Sequence, residues 1–553
     1  MVLFLKTTYP LHESWSKNIF FNFDPLVAFV MAVTGAAFKA TLLLSVVTVV
    51  ITLLAGRVFC GWICPLGTIH DIAAKVIPTA KIARPYGSGR FTRVKYWVLA
   101  FLVAGSLFGF SALLFFDPLV FLFRVMTLNI FPFGVLLANG LLDVVRPLAM
   151  KLGYFQLSML SYPQPVFHLA FTSFLMFAAV IALVAVERRF WCRNLCPLGA
   201  LLSLLSRYAP WGRRVAETCI DCSRCARGCP MNAISDTFRE TSWRECIQCL
   251  RCEDTCPVEA ITFGRENGEG RFEVNPSRRS AIVAGAGGIC AAMLAGSAAG
   301  NAVVPQNRLR PPGTLTEKDF LDMCLRCGEC MKVCPTHALQ PAFLQAGVEG
   351  LFTPVLTPRV GACEERCNLC GQVCPTGAVR ALPLEEKQYA VIGNAVIDRR
   401  RCIAWEQGKV CLVCDEVCPY DAIVSRVVAD EAGTIRRPFI LENKCVGCGQ
   451  CEHACPVNGP AAVRVFPINE VRKNEGSYIT EEAKRLREVR DEDSHLYDDG
   501  SGVDGGTGQS MQLEGQTGDN LPPGFVSDEG SGAPPGFVPD PADNLPPGFV
   551  PDE

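Results

Sequence analysis

Residues 219–257 read Cys219-x2-Cys222-x2-Cys225-x3-Cys229-Pro230, followed by Cys246-x2-Cys249-x2-Cys252-x3-Cys256-Pro257. Two such runs back to back form the ligand pattern of a two-cluster bacterial ferredoxin. The short strides let one tight loop offer three thiolates to a single [4Fe–4S] cubane, and the fourth Cys of each run reaches the other cluster. The spacing therefore assigns Cys219, Cys222, Cys225 and Cys256 to one cluster, and Cys246, Cys249, Cys252 and Cys229 to its partner. Zinc ribbons are the competing explanation, but they use two CxxC pairs across a long spacer rather than three Cys at a stride of three plus Cys-Pro.

The rest of the chain is built around the same chemistry. Of 553 residues 29 are Cys, and all but Cys290 fall in ligand-like motifs, which points to metal ligation rather than a disulfide framework. A length of 553 residues implies several domains. The net charge of −2 gives no footing for a nucleic-acid partner. Half the residues are hydrophobic and the mean hydropathy is +0.25, raised by apolar runs in the first third.

Residues 1–210 read as a polytopic α-helical membrane domain. Residues 36–55, 96–116 and 166–186 are long and apolar enough to span a bilayer, whereas 26–35 is too short to span alone. No cleavable signal peptide is evident at the start. Basic residues cluster at 57–95 and again at 188–214, so both segments belong on the cytoplasmic face. This requires an even number of crossings in 119–165, most simply a re-entrant or interfacial hairpin. A signature then follows two of the spans: Arg57-Val-Phe-Cys60-Gly-Trp-Ile-Cys64-Pro65-Leu-Gly67 and Arg189-Phe-Trp-Cys192-Arg-Asn-Leu-Cys196-Pro197-Leu-Gly199. The repeat implies that the two copies meet and bring four thiols together, as an extra redox centre or a thiol site. Two structural Cys pairs at helix ends are the alternative.

Two Cys-x3-Cys-Pro motifs after membrane helices, followed by a double cluster motif, resemble the NapH-type iron–sulfur membrane subunit of periplasmic nitrate reductase systems. They are also similar to the nitrous-oxide-reductase regulator family and to a cytochrome oxidase assembly ferredoxin family. The resemblance covers about residues 20–265. It departs in the short N-terminus, since those proteins carry a further helix before the first Cys pair.

Residues 211–270 fit a compact two-cluster ferredoxin domain. Ser277-Arg278-Arg279 then leads into a Gly/Ala-rich apolar run to Val304, so 275–305 reads as a twin-arginine-like signal or a membrane anchor. A dinucleotide fingerprint at Gly285, Gly287 and Gly288 is poor, because no βαβ pattern follows. Cys290 reads as a membrane-buried passenger.

Residues 306–470 carry four further groups: Cys324, Cys327, Cys330 and Cys334; Cys363, Cys367, Cys370 and Cys374; Cys402, Cys411, Cys414 and Cys418; Cys445, Cys448, Cys451 and Cys455. The widened first gaps of the second and third groups resemble the NapG/MauM-type four-cluster ferredoxins, which carry a twin-arginine signal before the first motif. That resemblance implies that the first group shares its fourth Cys with the last, and the second with the third. His337 and His453 stand beside these groups as surface turn residues, and His70 and His168 lie too far apart for a haem.

Residues 471–494 are charged and read as one exposed helix. From 498 onward the chain is low-complexity and disordered, with three Pro-Pro-Gly-Phe-Val repeats; segment 471–553 is thus a tail.

The fold class is an α-helical membrane domain followed by α+β ferredoxin-like modules, with six [4Fe–4S] motifs. No nucleophile, phosphate loop or open metal site accompanies them, so the expected chemistry is electron relay. The expected function is a membrane-bound polyferredoxin, in the manner of a quinol dehydrogenase subunit. It passes electrons from quinol or another membrane donor to a respiratory oxidoreductase or c-type cytochrome. The alternative is a maturation or regulatory redox factor for a respiratory metalloenzyme. The expected location is the bacterial inner membrane, with the two-cluster domain cytoplasmic and the four-cluster domain periplasmic.

Overall fold

The computed structural model describes residues 19–33, 43–78, 90–107, 115–265, 278–301, 308–343, 347, 349–430, 433–481 and 483–485. The chain divides at Asp498, and everything described belongs to the first unit. The repeat-bearing tail lies outside the described residues.

The first third is a helix bundle: α1 (Pro25–Val33), α2 (Leu44–Ala55), α3 (Pro65–Val76), α4 (Val94–Leu107), α5 (Pro118–Val125), α6 (Phe131–Lys151), α7 (Ala170–Ala182) and α8 (Pro197–Leu205). α1, from the segment too short to span alone, lies in the core: Leu26, Val27, Val30 and Met31 are fully buried. Its packing against α2, α4 and α8 is what a segment too short to span can still contribute.

α2 is polar inside and apolar outside. Ser45, Thr48 and Thr52 are buried, while Leu44, Val46, Val47, Val50, Ile51 and Leu54 are exposed. Thr48 donates to the carbonyl of Phe23 at 2.7 Å, and Thr52 donates to the carbonyl of Thr48. Small hydroxyl residues at a helix interface with an aliphatic outer surface reverse the pattern of a water-soluble helix.

By length and composition, one described helix is long and apolar enough to cross a membrane, the continuous stretch Pro118–Lys151. Leu44–Ala55, Val94–Leu107, Ala170–Ala185 and Ser280–Ala291 are shorter apolar helices. The polar residues within 119–145 do not break the long helix, because its backbone bonding carries on by i→i−5 bonds through a π-turn at Met126–Ile130, where Phe131 N–H donates to the carbonyl of Met126. Residues 155–166 return along α6, where Asn139 pairs with the backbone of Tyr162 and Gln164 donates to the carbonyl of Pro132. Residues 131–164 therefore fold back on themselves as a hairpin.

α9 (Arg278–Asn301) lies along α4, and the backbone of Gly288 comes so close that a Cβ there would stand 2.1 Å from the carbonyl oxygen of Phe101. Gly287 and Gly288 of the supposed dinucleotide fingerprint thus serve helix contact, while Gly285 faces open space. Cys290 is exposed on α9.

Three two-cluster units share one plan. In the first, β1 (Trp211–Val215) pairs antiparallel with β2 (Ile261–Arg265) around both Cys runs, and an Ile234–Thr241 bridge lies between the runs. In the second, a Thr314–Val379 bridge encloses the first two of the later groups, with β3 (Leu339–Pro341) paired to β4 (Pro354–Leu356) between them. In the third, β5 (Asn394–Ile397) pairs with β8 (Val463–Phe466) outside, and β6 (Ile423–Asp430) with β7 (Gly433–Ile440) inside. Residues 471–479 do not form the expected exposed helix. Arg472 pairs with Glu317, Arg380 donates to the carbonyls of Lys473 and Gly476, and Tyr478 is buried against Leu382 and Ala390. These anchors strap the segment onto the second unit.

Candidate functional site: the cysteine quartets

The first unit gathers Cys229, Cys246, Cys249 and Cys252 around a small, largely apolar cavity, with Met231, Ile234, Ile247 and Phe263 among its walls. This is the exchange that the spacing of the two runs dictates. The third unit does the same twice: Cys402, Cys411 and Cys414 meet Cys455, and Cys445, Cys448 and Cys451 meet Cys418. In the second unit the thiols that act most strongly on Cys330 are Cys327, Cys324 and Cys374, ahead of Cys370, and those that act most strongly on Cys370 are Cys363, Cys367 and Cys334. The first-with-last and second-with-third sharing is therefore wrong. Consecutive groups exchange their Cys-Pro arms, because each consecutive pair folds inside its own strand pair and brings its two short helices together (Glu329–Val333 with Leu369–Gln372, Val413–Glu416 with Gln450–Ala454).

Local backbone explains how one loop aims three thiols inward. The residues two and four positions after the first Cys adopt positive φ in four groups: Asp221 and Ser223, Gln248 and Leu250, Arg326 and Gly328, Gly447 and Gly449. Left-handed residues bend the chain around a central object, and for non-glycine side chains this costs about 1–2 kcal/mol each. The two widened groups use other means. Lys387 donates to the carbonyls of Glu364 and Glu365 in one, and Arg437 donates to that of Ala404 while stacking over Trp405 in the other. His337, three residues past Cys334, is a positive-φ turn residue like Asn232, Glu259 and Asp421. It is half-buried beside Pro163 rather than on the surface, while His453 is exposed.

The quartets fit iron–sulfur clusters. Burial pushes the thiols of Cys246, Cys252, Cys414 and Cys448 up to about 12, and the neighbouring Cys add to the shift for each, so thiolates require compensating positive charge. Among the described residues no three or more His, Cys, Asp or Glu close on a point as a single ion bound at about 2.3 Å to sulfur would need. The thiols instead ring cavities. When bound, such a cluster supplies one-electron chemistry. The chain supplies apolar walls, backbone N–H donors to sulfur (Ala233 to Cys229 at 3.4 Å, Ala422 to Cys418 at 3.3 Å) and buried cations, as where Arg213 Nη2 lies 3.5 Å from Cys225 Sγ.

A further quartet forms where the two Arg-x2-Cys-x3-Cys-Pro-Leu-Gly copies meet. Cys60, Cys64, Cys192 and Cys196 lie within electrostatic reach of one another, and burial followed by that proximity holds Cys64 and Cys196 above the usual thiol range. The arginines cross over: a Cβ on Gly199 would meet Arg57, and one on Gly67 would meet Arg189. The repeated Arg and Gly, quoted in the sequence without a role, are each other's seats.

This quartet touches the first two-cluster unit. Gly61 presses on Ile247, where a Cβ would come within 2.3 Å of the carbonyl oxygen, and Trp62 donates to the carbonyl of Gln248 at 2.9 Å. Glu245 accepts from Lys95 at 2.6 Å and stands 3.6 Å from Arg57, all three fully or nearly buried. The second unit docks at the other end of the bundle: Arg124 donates to the carbonyl of Arg326 at 3.0 Å and stacks between Phe115 and Phe352, and Gln340 brackets the backbone at Val166 and His168. His70 lies on α3 beside the four-thiol end and His168 at the opposite end, so they do not form a pair.

Family models described as a 4Fe-4S binding domain match residues 39–84, 169–217 and 216–232, and one described as a 4Fe-4S dicluster domain matches 245–338 and 409–458. The methylamine utilization ferredoxin-type protein MauM of Methylorubrum extorquens is 38% identical over 205 residues, which cover 35% of this chain and 90% of that protein. MauM of Methylobacillus flagellatus is 37% identical over 169 residues, or 29% of this chain and 68% of the relative. The ferredoxin-type protein NapG of Escherichia coli K12 is 32% identical over 168 residues, or 29% of this chain and 71% of the relative.

Proposed function

The chain belongs to the family of MauM- and NapG-type ferredoxins, and from that premise we propose that it is a membrane-bound polyferredoxin in which a NapH-like membrane part is fused to such a ferredoxin. Its six ferredoxin-type quartets hold [4Fe–4S] clusters and relay electrons from a quinol or another membrane donor to a periplasmic oxidoreductase or c-type cytochrome. The observation that carries this reading is α2, whose hydroxyl residues face the bundle and whose Leu, Val and Ile face outward. Lipid is the solvent that stabilises such a surface.

The placement of the units supports a relay between the two ends of the bundle. The two-cluster unit of residues 211–265 sits on the basic end of the bundle, which the charge rule assigns to the cytoplasm. The 309–479 region sits on the opposite end. One continuous apolar core contains Cys64 and Cys196 at the first end and Cys324 and Cys327 at the second, with Phe121 and Trp191 stacked at 6.2 Å within it.

Protease shaving of intact spheroplasts, probed with antibodies to residues 219–256 and 324–455, tests the arrangement. Cleavage in the second region alone is the expected result. Protection of both regions, with cleavage of both in inverted vesicles, defeats the periplasmic assignment. Addition of a short-chain quinol to anaerobic membranes is expected to bring up reduced-cluster EPR signals.

A further inference from the structure

The two Cys-x3-Cys-Pro pairs each hold too few thiols to ligate a cluster alone, yet they close into one quartet that shares the marks of the six ferredoxin sites. A backbone N–H donates to the last thiol, Gly199 to Cys196 at 3.2 Å, as Ala233 does to Cys229. Buried guanidinium groups accompany the sulfurs: Arg57 is fully buried with Nη2 4.0 Å from Cys60 Sγ, and Arg189 is 3% exposed and donates to the carbonyl of Cys60.

The charge balance sharpens the point. Buried Arg57 and Lys95 share the single carboxylate of Glu245, and buried Arg189 shares Asp71 with Arg251. At Glu245 both cations are buried, one more than its single charge offsets, and Arg57 Nε has no hydrogen-bond partner; at Asp71 the second cation, Arg251, is 45% exposed and solvated. Two neutral thiol pairs, or two disulfides, would leave that surplus of buried positive charge uncompensated, at a cost of several kcal/mol per ion. An iron–sulfur cluster with four thiolate ligands is a net anion in both of its redox states and balances it.

We propose that Cys60, Cys64, Cys192 and Cys196 together ligate one additional iron–sulfur cluster, with Arg57 and Arg189 as the positioning residues that neutralise it across the repeat. This rests on the electron-relay reading and adds a seventh centre to it. Its place also assigns a role. Cys60 packs in the same apolar patch as Cys229, Cys246 and Cys249, so the centre faces the inner cluster of the two-cluster unit with Gly61 and Ile247 in direct contact between them. Clusters held by these residues would exchange one electron, with no bond made or broken and no proton moved.

The test uses the full-length protein, purified anaerobically in detergent. Cys192→Ser and Cys60→Ser are each expected to lower iron and acid-labile sulfide by one cluster and to remove one reduced-state EPR signal, leaving the ferredoxin signals in place. The iron lost distinguishes a two-iron from a four-iron centre. Arg57→Gln removes a positive charge next to that centre, disfavouring its more anionic reduced form, so the same signal is expected to titrate at lower potential, while Arg57→Lys holds it near the parent value. Unchanged iron and an unchanged set of signals in both Cys variants overturns the seventh centre alone. Absence of [4Fe–4S] signals from the parent protein overturns the relay reading itself.

Discussion

The ferredoxin quartets and the membrane quartet reach the same four-thiol arrangement by opposite means. In the former, one loop supplies three of the four sulfurs, and left-handed residues such as Ser223 and Leu250 hold it in shape. In the latter, no loop supplies more than two, and the arrangement exists only because residues 57–67 and 189–199, more than a hundred positions apart, pack against each other through crossed arginines. A locally encoded site survives damage elsewhere. A site encoded by tertiary contact fails with its interface.

The contrast predicts that the largest effects come from the interface. Glu245→Gln leaves Lys95 and Arg57 buried without their carboxylate, and breaking a buried ion pair from one side costs about 3–5 kcal/mol. Thermal unfolding of the detergent-solubilised protein is expected to lose that much stability, and a loss under 1 kcal/mol would mean water reaches the pocket. Gly61→Val is expected to be next. Overpacking of this kind costs about 1–3 kcal/mol, and here the added carbon meets a backbone carbonyl that cannot turn aside. The outcome to look for is quinol-driven reduction of the 211–265 clusters falling at least roughly tenfold while dithionite still reduces them. Equal loss by both reductants would place the damage inside the ferredoxin fold.

The same contrast explains what the sequence made legible. The reach of Cys229 into the second run followed from spacing alone, because loop, turn and Cys-Pro arm are local. Pairing within residues 306–470 did not, since the widened gaps at 363–367 and 402–411 hide the fact that consecutive groups still fold as one unit; the deciding strands 394–397 and 463–466 are nearly seventy residues apart. The convergence of the two Cys-x3-Cys-Pro pairs was readable from the repeat, and the crossing of Arg57 and Arg189 was not, because a buried arginine and a cytoplasmic basic flank look alike in a sequence. The strap at 471–479 was read as an exposed helix for its charge, yet its Arg472 and Tyr478 are anchors whose partners, Glu317 and Leu382, lie far up the chain.

A smaller effect belongs to that strap. Glu317 is held down to about 2: burial opposes its ionisation, but the guanidinium groups of Arg310, Arg308 and Arg472 outweigh burial. A carboxylate depressed in the folded state adds stability above its unfolded pKa of about 4.3 and loses it as pH falls through the folded value. Stability of the 309–479 region is therefore expected to fall by on the order of 3 kcal/mol between pH 5 and pH 2 on account of this group, followed by chemical denaturation. Glu317→Gln should flatten that part of the profile, and a variant that keeps the parent slope would assign the acid sensitivity to other carboxylates.

The smallest effects separate the two kinds of loop among the ferredoxin quartets themselves. Leu250, at φ 60°, sits where the equivalent residue of another group is Gly449, at φ 83°. Glycine occupies this region freely, whereas leucine pays about 1–2 kcal/mol to do so. Leu250→Gly relieves that strain, although the unfolded chain gains freedom that offsets part of it. A net stabilisation of up to about 1 kcal/mol is therefore expected in thermal unfolding. Gly449→Ala goes the other way, and by more: its new methyl carries the left-handed strain and also meets Pro358 at 2.7 Å. If both substitutions shift stability in the same direction, the loop conformation is imposed by the bound cluster rather than stored in the backbone. The left-handed residues would then be a consequence of ligation, and the ferredoxin quartets would depend on assembly as much as the membrane quartet depends on its interface.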